Sequence, residues 1–191
     1  MSTDPSAPAP RPSEPRVAPV AEFDAEVAEI LANALTVDGT PLNIFGTLAH
    51  HPKLLKRFNL LGGFLLNKGL IPAREREIVI LRVGWNAQAV YEFGQHTLIG
   101  KQTGLTDDEI AAIAGGSRDW SDDDRALIDL ADDLCRDDVV SDDTWARLGR
   151  WSDAEKVELV IVAGFYRLVS GFLNTMGVQL DNGVPSWPGT D

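Results

Sequence analysis

The chain is 191 residues long, 44% apolar and 24% charged, a composition that suits one globular domain with its own hydrophobic core. A formal charge of -12 and a pI near 4.6 argue against nucleic acid and anionic membrane as partners, because both need a basic face. Cys135 is the single cysteine, which rules out an internal disulfide and fits a reducing compartment.

Residues 1–20 hold six of the eleven prolines, mixed with Ser, Ala and Arg. Such a stretch buries little, and its composition predicts a disordered tail ahead of a single domain over 21–185. The tail lacks the apolar core of a secretory signal, and no stretch approaches the roughly 18 apolar residues of a spanning helix. A cytoplasmic location without membrane contact is the expectation.

The folded part reads as helices in succession. From Phe23 to about Leu35, the residues Phe23, Val27, Ile30, Leu31 and Ala34 recur at helical spacing. A loop through Asp38, Gly39, Thr40 and Pro41 leads to a helix from about Pro52, with Leu54, Leu55, Phe58, Leu61, Leu65 and Leu66 on one side and Gly69 as its cap. Gly62-Gly63 falls inside this pattern, where small residues permit close packing. The next helix, Pro72 to about Trp85, contains Ile78-Val79-Ile80-Leu81, a β-branched run whose length and flanks favour helix over strand. The pattern breaks near Asn86, and a further helix runs from about Ala89 to Thr103.

Three hydroxyls, each three residues ahead of an acid, mark later helix starts: Thr106 with Glu109, Ser121 with Asp124, and Ser152 with Glu155. The helix from Ser152 is apolar nearly all round as far as Phe172 and is expected at the centre of the fold. Between Asp107 and Asp143, 14 acids face only Arg118, Arg125 and Arg136, so this region carries almost all the net charge; solvated helix faces are the expectation. No segment shows strand alternation. The fold class is all-α, a helical bundle.

Glu92 and His96 are four apart, hence neighbours on one helical face, where a carboxylate can orient an imidazole and share its proton. An exposed surface pair is the plainer alternative. Glu77 would lie roughly 22 Å from Glu92 in an unbroken helix. The two meet only if the chain reverses near Asn86, which suits a helix end. Arg82 is the obvious cation nearby, either for substrate recognition or as a buried partner of Glu77 or Glu92. Trp85 and Tyr91 flank the turn and line a pocket or else join the core. Tyr166 and Asn174, on the late helix, are further candidates for the same cavity. His50 and His51 suit the start of the helix at Pro52, and the three histidines offer no metal-binding spacing.

The frame Glu77, Ala89, Glu92, His96, led by "REIVILRV", resembles the carboxymuconolactone decarboxylase and alkylhydroperoxidase-D-like family. Redox-active members of that family carry a glutamate, a cysteine twelve residues on, a second cysteine three later and a histidine four beyond. Here Ala89 and Glu92 stand in the cysteine positions. Thiol–disulfide exchange needs a thiolate, so dithiol peroxidase activity is not expected. The resemblance implies the family's helical bundle, a homo-oligomer (trimer or hexamer) and a small-molecule substrate. Its decarboxylase branch implies a cofactor-free lyase or isomerase acting on a lactone or carbonyl metabolite of aromatic-compound catabolism, without a metal. His96 would then act as acid or base, Glu92 would orient it, and Glu77 would be a second proton donor or acceptor. Two alternatives stand beside this: a non-catalytic binding or structural relative, and residual hydroperoxide reduction through Cys135.

Overall fold

The computed structural model describes residues 10–32, 34–37 and 39–188. The chain is helical almost throughout. Helix α1 (Ala25–Leu31) starts at Asp24, whose side chain accepts from the Val27 amide. A two-residue ladder follows, β1 (Thr36–Val37) antiparallel to β2 (Thr40–Pro41), where the sequence suggests only a loop. Helix α2 (Asn43–Leu48) leads to α3 (Pro52–Asn67), capped by the His51 side chain, with Pro52 in its first turn. Then come α4 (Ala73–Asn86), α5 (Val90–Gln102), α6 (Asp107–Ile113), α7 (Asp122–Asp137), α8 (Asp142–Arg147) and α9 (Asp153–Met176).

The hydroxyl signals locate real helix starts. Thr106 with Glu109 and Ser152 with Glu155 form complete capping boxes, and Ser121 caps the Asp124 amide. Ser141 does the same for Thr144 at the head of α8, a short helix that apolar periodicity does not reveal.

Helix α4, and not α9, is the centre of the bundle. Ile78, Val79, Ile80 and Leu81 are all fully buried, because α5, α7 and α9 pack around them. That encirclement explains the strand-like run: over residues 78–81 the helix meets packed neighbours all round, so β-branched residues are tolerated there on every side. Each such side chain contributes about 1.5–3 kcal/mol by burial. Helix α9 keeps one face outward, with Val157, Ile161 and Leu168 exposed. By length and composition alone α9 could cross a membrane, contrary to the expectation that no segment approaches that limit. Its other face carries Leu159, Val162 and Ala163 into the core.

Two apolar clusters result. One surrounds α4; the other joins Val27, Leu31, Leu42, Ile44, Leu48 and Leu55 to Tyr91, Val169 and Leu173. Phe165 packs against both. The acidic stretch is more than a solvated surface. Arg74 of α4 bridges Glu109 of α6 and Asp124 of α7, and Asp129 takes Arg147.

Composition predicts no fixed course for residues 1–20, yet residues 10–20 have one; residues 1–9 lie outside those described. The Arg16 amide donates to the Met176 carbonyl, the Val20 amide to Gly46, and Arg11 Nη2 to Ala87. Backbone groups, one guanidinium and the His50 ring hold most of this segment, with only its last residue, Val20, packed against an apolar cluster, so its composition gave little sign of it.

Candidate active site

The turn between α4 and α5 builds the site. Asn86 ends α4, and Gln88 takes a left-handed conformation with φ of 52°. Ala87 and Gln88 thus reverse the chain, and α5 runs back along α4. Gly84 permits the close approach, since a Cβ there would stand 3.4 Å from the Phe93 amide nitrogen. Arg11 and Asn174 both donate to the Ala87 carbonyl, which satisfies an otherwise orphaned group at the end of α4. Asn174 therefore serves the turn and does not line the cavity.

This hairpin brings Glu77, Glu92 and His96 together. His96 Nδ1 lies 2.6 Å from Glu77 Oε2 and His96 Nε2 lies 3.1 Å from Glu92 Oε1. Arg76 Nε and Nη2 both donate to Glu77 Oε1, at 3.1 and 3.0 Å. All four side chains are buried, with Glu77 at 0% exposure. The order Arg76–Glu77–His96–Glu92 alternates in charge and is neutral when the imidazole is protonated. Burial alone would push His96 down; the facing carboxylates of Glu77 and Glu92 outweigh it and raise the imidazole to about 10. At neutral pH His96 is a cation.

The link to Glu92 differs in quality from the link to Glu77. Glu92 Oε1 is buried and has no hydrogen-bond partner, although His96 Nε2 is near. The pair is an ion pair by distance without a directed hydrogen bond. Glu77, by contrast, has both oxygens engaged and does not line the cavity.

Arg76, Glu92 and His96 stand at the inner end of a cavity of about 660 Å³. Its walls are mostly apolar, with Leu42, Ile44, Phe45, Phe58, Phe165 and Val169 prominent. Tyr91 and Tyr166 also face it, and the Tyr166 ring meets the His96 ring edge-on at 4.9 Å. Burial, first, and then Asp181 raise the Tyr91 hydroxyl, which donates to Asp181 Oδ2. Burial likewise pushes Tyr166 up. Both phenols are neutral groups.

Two residues singled out from sequence lie elsewhere. Arg82 leaves the site: its Nε and Nη2 bind Asp132 at 2.6 and 2.9 Å, and its Nη1 donates to the Ile113 carbonyl. Its partner is thus neither Glu77 nor Glu92 but an acid of the charged stretch. Trp85 packs against Phe93 and Trp187 on the side away from the cavity. Cys135 is half-buried and outside the cavity, and burial pushes its thiol up. His50 binds the Ala18 carbonyl, and His51 caps α3.

Sequence reasoning missed Arg76. The available signal was an arginine directly beside Glu77 at the start of the apolar run 78–81, where a buried guanidinium must find a carboxylate. The aromatic wall from α2, α3 and α9 carries no motif and emerges only on folding.

A helical bundle with a buried carboxylate–imidazole network beside an apolar cavity is the class that fold and site define. Residues 52–131, which include Glu77, Glu92 and His96, match the carboxymuconolactone decarboxylase family. The chain fits that family, within the alkylhydroperoxidase-D-like fold. Among solved structures, an uncharacterized peroxidase-related protein of alkylhydroperoxidase AhpD core type from Ralstonia eutropha JMP134 superposes with a TM-score of 0.73. It is 21% identical, over 86% of this chain and 91% of that one. A putative antioxidant defence protein AhpD from Agrobacterium tumefaciens gives 0.65 at 19% identity, over 70% and 94%. A cysteine-to-alanine variant of the debrominase Bmp8 in complex with 2,3,4-tribromopyrrole gives 0.66 at 15% identity, over 88% and 93%. Identities this low establish the shared fold and nothing about activity. No curated protein matches the chain.

Proposed function

We propose that the protein is a cofactor-free acid–base enzyme, a lyase or isomerase acting on a small lactone or carbonyl metabolite, in the cytoplasmic catabolism of aromatic compounds. One observation carries this reading: the buried row Arg76–Glu77–His96–Glu92 lies against an apolar cavity that Arg76, Glu92 and His96 line. His96, held as imidazolium, donates from Nε2 to the substrate carbonyl oxygen. Glu92, paired with His96 without a directed hydrogen bond, removes a proton from the adjacent carbon. Return of that proton to a different carbon completes an isomerisation. In a decarboxylation no proton is removed first: a carboxylate on the carbon next to the carbonyl leaves as CO2, and its bonding pair forms the enol as His96 protonates the carbonyl oxygen. That proton passes to the carbon as the carbonyl re-forms, and His96 regains a proton from solvent. Glu77 and Arg76 are positioning residues that keep His96 charged and fixed.

Proton exchange tests this directly. Incubation with a panel of lactones and ketones in D2O, followed by NMR, should show deuterium entering next to the carbonyl of at least one compound. His96→Gln and Glu92→Gln should each abolish it. Exchange at parental rate in both variants would remove these residues from the mechanism.

We further propose a homo-oligomer, a trimer or hexamer, in which the outward residues of α9 meet a second copy of this chain. The spacing of Val157, Ile161, Gly164 and Leu168 on one exposed stripe supports it.

A further inference from the structure

Two donors remain at the inner end of the cavity once the buried row is complete. Arg76 gives its Nε proton and one Nη2 proton to Glu77. Among the described residues, its Nη1, a nitrogen with N–H groups of its own, meets no acceptor. The Tyr166 hydroxyl likewise makes no hydrogen bond among them, although the residue is only 4% exposed. The sealed polar side-chain atoms without a partner, among the described residues, are Glu92 Oε1, Thr97 Oγ1, Arg147 Nε and Ser170 Oγ. Arg76 Nη1 and Tyr166 Oη are not of that kind. Each keeps open surface, and both residues line the cavity.

Both donors sit beside the relay. The Tyr166 ring stands edge-on to His96 at 4.9 Å, and its hydroxyl lies within the electrostatic reach of Glu92, Glu77 and Arg76. Burial first, then the two carboxylates, keep the phenol protonated. It therefore donates a hydrogen bond without giving up its proton. A buried phenol usually finds a partner, and one left open gains from any ligand oxygen that reaches it. The guanidinium is a charged donor, which strengthens such a bond. Phe58, Phe165, Leu42 and Ile44 surround the remaining space with apolar surface suited to a ring.

We infer that Arg76 Nη1 and the Tyr166 hydroxyl are the donors by which the cavity holds its ligand, and that they take a carbonyl or carboxylate group on an apolar, ring-sized body. The inference rests on the proposed site and adds two substrate contacts to it. Arg76 then has a second role beyond its hold on Glu77, and Tyr166 is a binding residue as well as a wall of the cavity. The ring of the ligand lies among the apolar side chains, and its oxygen group faces inward.

Three probes test it: acetophenone, its isostere α-methylstyrene, in which a methylene replaces the oxygen, and benzoate. Each is titrated into the full chain at neutral pH and followed by ligand-observed NMR. Tyr166→Phe removes only the hydroxyl. It should weaken acetophenone, benzoate or both by about fivefold or more and leave α-methylstyrene within about twofold of the parent. Which of the two responds tells a carbonyl from a carboxylate. Because the hydroxyl has no protein partner, the variant should melt no lower than the parent. Arg76→Lys keeps the charge beside Glu77 but gives up Nη1, and should lower the affinity of the same oxygen probe relative to α-methylstyrene. If that variant does not fold, Tyr166→Phe decides alone. The inference is overturned by an unchanged ratio of oxygen probe to isostere in either folded variant, by equal weakening of all three probes, or by binding of none. These are equilibrium measurements, so a hydroxyl-dependent affinity without deuterium exchange would sink only the catalytic reading. Exchange without that dependence would sink only this one.

Discussion

His96 Nδ1 and Glu77 Oε2 lie 2.6 Å apart although 19 residues separate them in sequence. The contact exists because the α4–α5 hairpin folds one helix onto the next, and because Arg76 holds the other Glu77 oxygen. Glu77 is fully buried, so this is an interior charge network with little access to water.

Truncating Glu77 to Ala strands Arg76 and His96 without their shared anion. Loss of one partner of a buried pair costs about 3–5 kcal/mol. Urea unfolding should show that drop, and a change below about 1 kcal/mol would mean the network contributes no net stability.

The raised imidazole makes stability pH-dependent in a defined direction. An unfolded histidine titrates near ~6.5, while folded His96 sits at about 10. The stabilisation is complete below the unfolded value and declines as pH rises through the window between the two, because the folded state then binds more protons than the unfolded state. The stability difference between parent and His96→Gln should therefore shrink from mildly acidic pH to pH 10. Imidazole NMR signals of His96 titrating near neutrality would contradict this.

Much of this arrangement was legible in the residues themselves. The helix starts at Thr106, Ser121 and Ser152 are local, since a side chain three residues from its acid needs no tertiary context. The reversal near Asn86 and the meeting of Glu77 with Glu92 and His96 were likewise inferable from spacing and family resemblance. What remained hidden depends on long-range partners. Arg82 looks like a site cation until Asp132, 50 residues away, claims it. The central place of α4 was obscured because α9 has more apolar residues, though α4 has more neighbours on every side. The short helix α8 has too few apolar positions to show a period.

Arg82 belongs to the scaffold. Arg82→Ala should lower stability by about 3–5 kcal/mol as an upper range, less in proportion to the partial exposure of the pair. Deuterium exchange per folded molecule should be unchanged. Loss of exchange with normal stability would return Arg82 to the site.

Cys135 lies outside the cavity, and its thiol is disfavoured as a thiolate by burial. Parent and Cys135→Ser should consume hydroperoxide, with an added dithiol, at the same background rate. A slower variant would revive thiol chemistry.

The stripe on α9 gives the assembly a handle. Leu168, 61% exposed, replaced by Glu should convert the oligomer to monomer in light scattering, with the helical signal retained. A parent that already elutes as a monomer would end the assembly proposal.

Arg11 reaches across 76 residues to the Ala87 carbonyl at the very bend that creates the site, and Arg16 is tied to the end of α9. The leading segment is thus fastened both to the bend that sets acid against imidazole and to the end of the last helix, so a fused tag, a protease cut or a neighbouring protein that displaced it would strip that bend of one of its donors.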